Sequence, residues 1–287
     1  MPELPEVEAL RGFLADKLVG RSVARVNLAA FSALKTFQLP LESLLGLEIE
    51  RVNRYGKYLD VEAQGVHLCF HLARAGWVKW HEVAPAAVPR PGKGPLALRV
   101  VLDDESGFDL TEAGTQRKLA IHVVADPAEV ERIATLGPDP LAPDFDRARF
   151  DAILDAAGRS QLKGVLREQR TIAGIGNAYS DEILHAARLS PFKAANSLDE
   201  DERAELHRAL RETLAQAVDR ARGLAAKELK DDKRSNLQVH GRTGEPCPVC
   251  GDTVAEVSFA DSSLQYCPGC QTGGKVLADR RMSKLLK

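Results

Sequence analysis

The chain has 287 residues, of which 44% are hydrophobic, so it is long enough to bury two modest cores and we expect two domains. Its formal net charge of −2 at pH 7 argues against a nucleic-acid partner, but basic residues near the C-terminus leave a local basic face open: Lys275, Arg280, Arg281, Lys284 and Lys287. No apolar run reaches membrane-spanning length and the N-terminus lacks the features of a secretory signal, so we expect a cytoplasmic protein with no membrane partner.

The first residues predict a helix with an unusual start. From Pro5 onward, apolar residues recur at helical spacing: Val7, Leu10, Leu14 and Leu18. Glu6 and Glu8 fall in the first turn, where acidic side chains suit the helix dipole. Pro2 and Glu3 precede this pattern, so helix stability alone does not account for them.

The next part of the chain is rich in short β-branched segments. Seven segments predict the strands of an antiparallel sandwich or barrel: "SVARVNL", "LEIERVNRYG", "KYLDVEA", "VHLCFHL", "GWVKW", "LALRVVL" and "KLAIHVV". The segment "PAAVPRPGKGP" contains too much Pro and Gly for regular structure and predicts a loop. Asp126, Pro127 and Glu129 then predict an N-cap, a first-turn proline and a capping-box acid at the start of a short linker helix.

From about Asp146 to Leu224 the apolar spacing is helical throughout. Within it, the stretch "REQRTIAGIGNAYSDEIL" predicts two helices joined by a turn that contains Gly174 and Gly176. Asn177 occupies the predicted N-cap of the second helix, whose free backbone N–H groups could hold a phosphate. An ordinary capped helical hairpin is the alternative.

Four cysteines near the C-terminus form two Cys-x-x-Cys pairs with sixteen residues between them: Cys247, Cys250, Cys267 and Cys270. Four thiolates in this pattern suit a closed, tetrahedral, structural zinc site, with no position left for catalysis. We therefore expect one structural Zn²⁺; a redox site or an unoccupied one is the alternative. Cys69 stands apart in a predicted strand and is expected to be an inert buried thiol.

Six features occur in the right order over nearly the whole chain: "MPELPEVE", "RYGKYL", "LGPDPL", "LKGVLREQRTIAGIGNAYSDEIL", "HGRTGEPC" and the cysteine pairs. Together they resemble the formamidopyrimidine-DNA glycosylase and endonuclease VIII family of DNA repair enzymes. The resemblance implies an α+β fold: an N-terminal β-sandwich flanked by helices, a helical helix-two-turn-helix domain and a C-terminal zinc-finger β-hairpin.

The resemblance also implies a division of labour along the chain. We expect a catalytic β-sandwich at 1–125, a linker at 126–145, a DNA-binding helical domain at 146–236, and the zinc finger with its basic tail at 237–287. The implied partner is damaged double-stranded DNA. We expect a monomer, associated with the nucleoid if the source is a bacterium.

In that family the initiator Met is removed and the new N-terminal proline, here Pro2, is the nucleophile. A terminal secondary amine should have a pKa of roughly 8, so a useful fraction is neutral at physiological pH. Its attack on C1′ would expel the base and leave an iminium, from which β,δ-elimination cleaves the strand. Glu3 resembles the family's general acid, and Lys57 resembles the lysine that reaches toward the lesion and its phosphate, although a strand lysine is usually only solvated.

The resemblance places five residues against the DNA. Lys163 and Asn177 match positions that grip phosphates, which fixes the register without reading sequence. Arg117 and Leu119 stand where an Arg and a Phe are usual, so Arg117 is expected to face the orphaned base and Leu119 to wedge into the stack. Arg74 stands where a methionine wedge is frequent.

Two departures from the family pattern bear on the substrate. Ser262 replaces an arginine that clasps phosphates around the lesion, so this contact is either absent or has moved to Lys275 or Arg280. The segment "LAAKELKDDKRSNLQ" is shorter and less Gly-rich than the loop that caps 8-oxoguanine. We therefore expect formamidopyrimidines, oxidised pyrimidines or bulkier adducts as substrates rather than 8-oxoguanine.

Two alternatives to the enzyme remain at this level. A catalytically weak damaged-DNA-binding protein on the same scaffold would tolerate Ser262 and Arg74. A generic zinc-finger DNA-binding module would explain the cysteines but would leave the N-terminus without a purpose.

Overall fold

The computed structural model describes residues 1–90, 92, 94–114, 116–259 and 262–278. The chain divides into two compact units: the first holds 1–136 and 221–230, and the second holds 137–220 and the chain from 231 onward. The predicted boundaries at 125, 145 and 236 remain predictions. Within the described ranges, no helix combines the length and apolarity that crossing a membrane requires.

The first unit is built from one long helix and two antiparallel four-stranded sheets. Helix α1 spans Leu4–Leu18. Eight strands follow: β1 Val23–Leu28, β2 Ile49–Tyr55, β3 Tyr58–Ala63, β4 Val66–His71, β5 Gly76–His81, β6 Leu96–Leu102, β7 Gly107–Glu112 and β8 Ala120–Val124. The sheets have the orders β1-β6-β7-β5 and β2-β3-β4-β8, and one apolar core joins side chains of both sheets to α1. The predicted β-sandwich flanked by helices is confirmed.

Strand β7 was missing from the sequence prediction, because its segment reads as acidic. In the structure, Phe108 and Leu110 point into the core and are fully buried. Asp109 lies between them and accepts two hydrogen bonds from Arg99, at 2.7 and 2.9 Å, and one contact from His81 at 2.9 Å. Burial raises the pKa of Asp109, but Arg99 and His81 outweigh it and hold that pKa below its usual value. A paired carboxylate is therefore tolerated in a strand whose residues are almost all buried.

The predicted linker helix begins as expected but with a tighter first turn. The Ala128 N–H donates to Asp126 Oδ1 at 2.8 Å, and the Asp126 N–H donates to Glu129 Oε1 at 3.0 Å, which completes the capping box. The first turn, Pro127–Glu129, is 3₁₀ in geometry, and helix α2 follows at Glu131–Ala134.

The second unit is helical and ends in a small cysteine-bearing hairpin. Its elements are α3 Arg147–Ala157, α4 Leu162–Arg167, α5 Asn177–Ala186, α6 Glu200–Ala221, strands β9 Ala255–Ser258 and β10 Ser263–Tyr266, and α8 Pro268–Gln271. Strands β9 and β10 pair antiparallel as the predicted zinc-finger hairpin. The α+β fold class is therefore confirmed.

The segment 224–238, compared above with a capping loop, contains one further helix, α7, which spans Leu229–Asn236 and lies between α6 and α8 in the chain. Asp231 and Asp232 lie in its first turn, and Lys233 and Arg234 in its last turn. This distribution of charge matches the helix dipole at both ends. The segment therefore has regular structure of its own.

Candidate functional site

The start of α1 holds the two residues that the sequence left unexplained. Pro2 is buried, and while Met1 is attached its nitrogen is an amide. Glu3 is the N-cap of α1: its N–H donates to Glu6 Oε2 at 2.8 Å, and the two residues form a capping box. Helix stability therefore does account for part of Glu3, which corrects the expectation. Both carboxylates are only 3% exposed.

Lys57 lies in a turn, which corrects the expectation that it is the first residue of a strand. Tyr55 pairs with Tyr58, so Gly56 and Lys57 form a two-residue hairpin turn between β2 and β3. Gly56 has φ +56°, a conformation that favours glycine. Lys57 is 8% exposed.

An ion pair ties this turn to α1. Glu8 accepts a hydrogen bond from Arg54 Nε at 2.7 Å, and Arg54 Nη1 donates to the Gly56 carbonyl at 3.4 Å. Burial alone would raise the pKa of Glu8, but Arg54 and Arg11 outweigh it and hold that pKa below its usual value. The helix that begins at Glu3 is thus joined to the turn that carries Lys57.

The sequence analysis missed His71, at the end of β4. Burial, and then the positive charges of Lys57 and Arg132, lower the pKa of His71 to about 4. Its ring lies 4.8 Å from the ring of Tyr58, and its Nδ1 accepts a hydrogen bond from the Ala73 N–H at 3.2 Å. His71 is therefore neutral at physiological pH. Its place in "VHLCFHL", three residues before Arg74, was the available signal.

The three residues at the positions that the family uses to fill the DNA stack lie in different surroundings. Arg74 is exposed in the turn between β4 and β5, and Arg117 is exposed and donates to the Gly94 carbonyl at 2.8 Å. Leu119 is 2% exposed and belongs to the core, and its N–H donates to Glu112 Oε2 at 3.0 Å. To wedge into DNA, Leu119 would have to leave that core.

Lys163 and Asn177 are brought together at the start of α5. Lys163 Nζ donates to Asn177 O at 3.1 Å, Ser180 Oγ at 2.8 Å and Asp181 Oδ1 at 2.5 Å. The N-cap of α5 is Gly176, with φ −125° and ψ −152°, so Asn177 is the first helical residue and not the N-cap expected from sequence.

The Asn177 side chain is committed to the hairpin. Its Nδ2 donates to the Ser263 carbonyl at 2.7 Å, while its buried Oδ1 has no hydrogen-bond partner among the described residues. Ser262 is partly exposed and Lys275 is exposed, whereas Arg280 lies outside the described residues. The amide donor of Asn177 would have to exchange partners to bind a phosphate.

Two buried carboxylates of α5, not anticipated from sequence, hold the approach to the hairpin. Glu182 accepts hydrogen bonds from the backbone N–H groups of residues 238–240 at 2.7, 3.0 and 2.9 Å. Asp181 accepts from the Gln265 N–H at 3.2 Å and contacts His240 Nδ1 at 2.7 Å. These two carboxylates therefore fasten the hairpin region to α5 through five contacts, in addition to the contact of Asn177 with Ser263.

The four cysteines of the hairpin region converge: the Sγ atoms of Cys247, Cys250, Cys267 and Cys270 all lie within 4.8 Å of one another. Sulfurs bound to zinc at ~2.3 Å stand about 3.8 Å apart in a tetrahedron. The Cys250–Cys267 and Cys247–Cys270 separations, 3.3 and 3.9 Å, fit that arrangement. His185 Nε2 lies 3.2 Å from Cys247 Sγ and is placed to donate to a thiolate. The site suits one structural zinc ion.

Comparison with known proteins places both units in one family. Residues 1–120 match the formamidopyrimidine-DNA glycosylase N-terminal domain, residues 136–228 the formamidopyrimidine-DNA glycosylase H2TH domain, and residues 244–273 the zinc finger found in FPG and IleRS. The formamidopyrimidine-DNA glycosylase of Symbiobacterium thermophilum is 35% identical over 297 residues, which cover 98% of this chain and 93% of that protein. The chain belongs to the formamidopyrimidine-DNA glycosylase family.

Two further similarities refine this result. An uncharacterized formamidopyrimidine-DNA glycosylase-like protein of Mycobacterium tuberculosis is 58% identical over 152 residues, covering 53% of this chain and 94% of that protein. The structure of the Lactococcus lactis formamidopyrimidine-DNA glycosylase in complex with DNA containing an abasic site has a TM-score of 0.81 and 27% identity. It covers 94% of this chain and 99% of that one. The fold predicted from the family resemblance is thus confirmed.

The zinc site generates the first prediction. Chelation of zinc, or Cys250→Ser, should remove hydrogen-exchange protection from the β9–β10 hairpin and leave both sheets of the first unit protected. Metal binding supplies most of the folding free energy of so small a module. Cys69→Ala is the matched control, because this cysteine lies outside the cluster, and it should keep one zinc per chain. Unchanged hairpin protection after complete metal removal would contradict the prediction.

His71 generates the second. The unfolded chain binds a proton on this histidine near pH 6.5, whereas the folded chain does so only near pH 4. The free energy of unfolding should therefore fall as the pH drops from 6.5 to 4, with His71 contributing about 3 kcal/mol at most. Urea unfolding of His71→Gln should show a shallower pH dependence in that window than the parent protein. Equal slopes for the two proteins would exclude this role.

Proposed function

We propose that this protein is a bifunctional DNA glycosylase and abasic-site lyase that excises oxidised bases through Pro2. The observation that carries the proposal is the start of α1, where buried Glu3 follows Pro2 and the Glu8–Arg54 pair joins the helix to the turn of Lys57. Family membership and the match to a DNA-bound glycosylase support it. The substrate is damaged double-stranded DNA, and the enzyme acts as a monomer.

The proposed chemistry starts with loss of Met1. The Pro2 nitrogen, then a secondary amine, forms a bond to C1′ of the damaged nucleotide while the C1′–base bond breaks and the base leaves with a proton. The C1′–O4′ bond then breaks, O4′ takes up a proton from Glu3, and the nitrogen lone pair forms the C1′ iminium. This iminium draws electrons from C2′, so loss of a C2′ proton expels the 3′ phosphate, and loss of a C4′ proton in a second elimination expels the 5′ phosphate. Glu3 opens the sugar as general acid and moves the protons. Lys57 contacts the lesion phosphate.

In the second unit, we propose that phosphate is held by the start of α5. Lys163 already spends three donors on Asn177, Ser180 and Asp181. Its role is then to fix the first turn of the helix, whose backbone N–H groups bind the phosphate. Asn177 joins this contact when its amide leaves Ser263. In the first unit, Arg74 and Arg117 contact the DNA.

A damaged-DNA-binding protein with weak catalysis is the second candidate. It is favoured by Ser262, which replaces a phosphate-clasping arginine, and by the burial of Leu119. The two candidates differ in one property: only the enzyme forms a covalent bond with DNA.

The decisive experiment traps that bond. Borohydride should reduce the iminium formed with abasic-site DNA and give a stable protein–DNA adduct, which mass spectrometry should locate on the N-terminal peptide at Pro2. Protein that retains Met1 is the control, since its Pro2 nitrogen is an amide and should give no adduct. Binding without any adduct, in protein verified to begin at Pro2, would leave only the damage binder.

Glu3→Gln should separate the two activities. Base excision needs a proton for sugar opening and for the departing base, whereas strand cleavage at an existing abasic site needs no departing base. We expect excision to fall by roughly 100-fold or more, the usual contribution of a general acid, and strand cleavage to fall less. Parallel assays on lesion-containing and abasic duplexes measure both rates; an equal loss would argue against Glu3 as the acid of base departure.

The segment 224–238 leads to a prediction about the lesion. It is short and contains helix α7, so we propose that it does not close over a base as a flexible capping loop would. Excision of formamidopyrimidine or oxidised pyrimidine lesions should therefore exceed that of 8-oxoguanine. A panel of single-lesion duplexes at one salt concentration measures this preference. A clear preference for 8-oxoguanine would refute the inference from this segment.

A further inference from the structure

The burial of Leu119 leaves the expected wedge position without an exposed apolar side chain. A side chain that fills a vacated position in a base stack must be exposed before DNA arrives, or its removal from the core adds to the cost of binding. Among the described residues, two aromatic side chains are mainly exposed, Phe31 at 69% and Phe37 at 78%. Both flank the short segment "SALKT" in the first unit.

Backbone contacts along β8 fix the direction of this segment. Leu34 forms a parallel bridge with Ile121, and the Lys35 N–H donates to the Ile121 carbonyl at 2.8 Å. Further along both segments, Thr36 pairs with Val123. The Thr36 Oγ1 accepts from the Val123 N–H at 2.8 Å and donates to the Val123 carbonyl at 3.1 Å. The segment thus runs parallel to β8. Phe31 lies toward the residues that precede this strand, and Phe37 toward its far end.

A small surface cavity confirms this placement. Its lining includes Ala30, Ser32 and Ala33 together with Arg117 and Leu119. Both chain neighbours of Phe31 therefore share a cavity with Arg117, the residue expected to face the orphaned base. The 3₁₀ turn Phe31–Ala33 holds the backbone here, with the Ala33 N–H donating to the Ala30 carbonyl at 2.9 Å.

We propose that Phe31 is the side chain that stacks in the duplex at the position vacated by the extruded nucleotide, beside Arg117. The proposal rests on the proposed function, since it requires a lesion-containing duplex as partner. An aromatic face stacks on any base, and the nearby exposed side chains of Lys35, Arg117 and Lys118 suit the phosphates on either side. Leu119 keeps its place in the apolar core, to which Ala33 of the turn also belongs.

Phe37 provides a matched control for the test. Phe31→Ala and Phe37→Ala each remove one exposed phenylalanine from the same segment, so both should keep the melting temperature of the parent protein. Binding is measured to a duplex that holds a non-cleavable tetrahydrofuran abasic analogue, with 2-aminopurine beside it as a fluorescent reporter of stacking, and to the same duplex without the lesion.

Phe31→Ala should weaken binding to the abasic duplex by about 10-fold or more and should reduce the 2-aminopurine response, because a stacking partner is lost. Binding to the undamaged duplex should stay unchanged, Phe37→Ala should behave as the parent protein, and Phe31→Trp should restore both signals. Parent-like binding by Phe31→Ala, or equal losses in the two alanine variants, would overturn the proposal.

The same set of proteins separates this proposal from the proposed function. Borohydride trapping of the parent protein tests covalent catalysis alone, whereas the tetrahydrofuran duplex tests binding without chemistry. A parent protein that binds the abasic duplex but gives no adduct contradicts the enzyme and leaves the assignment of Phe31 to be judged on binding. A parent protein that binds damaged and undamaged duplexes equally overturns both proposals.

Discussion

The ion pair between Glu8 and Arg54 is the constraint on which the candidate site depends. A chain terminus is ordinarily the least ordered part of a domain, yet the proposed nucleophile is the second residue. Helix α1 overcomes this through its apolar face in the core and through Glu8, whose 2.7 Å contact with the almost fully buried Arg54 reaches the turn of Lys57. Because both partners are largely buried, removal of either one would leave the other charge with fewer partners in a poorly hydrated place, a more costly defect than loss of a surface ion pair.

In the second unit, too, buried carboxylates of one helix bind other segments of the chain. Asp181 and Glu182 are buried on α5, and each accepts several hydrogen bonds from other segments of that unit. Their hydrogen bonds fix the start of the helix through Lys163 and the approach to the hairpin through the backbone of residues 238–240. Zinc therefore has only the distal hairpin left to order, which explains how four cysteine ligands suffice for so short a module.

Much of the fold was readable from sequence because apolar periodicity decides which faces are buried. It succeeded for α1 and for seven of the eight sandwich strands, whereas the zinc-finger hairpin was predicted from the cysteine spacing and the family resemblance. It failed for β7, where Asp109 is buried only because Arg99 lies opposite on β6, and a long-range partner leaves no local signal. The site shows the same limit. Cysteine spacing identified the four converging cysteines, and the family resemblance led to the proposal of Pro2 and Glu3. The burial of Leu119 and the surroundings of His71 depend on packing that no motif encodes.

The two units would contact DNA through different electrostatic groups, charged side chains in the first unit and backbone dipoles in the second. Lys163 faces the buried Asp181, and Ser262 provides no charge, so the start of α5 would meet a phosphate chiefly with backbone N–H groups. In the first unit the exposed Arg74 and Arg117 carry full charges. Charged contacts release counterions and hold any duplex, whereas oriented N–H groups act only at short range and in one geometry. In the proposed complex, affinity for DNA in general would come from the arginines, and the fit of a distorted, lesion-bearing backbone would come from the fixed dipoles of α5.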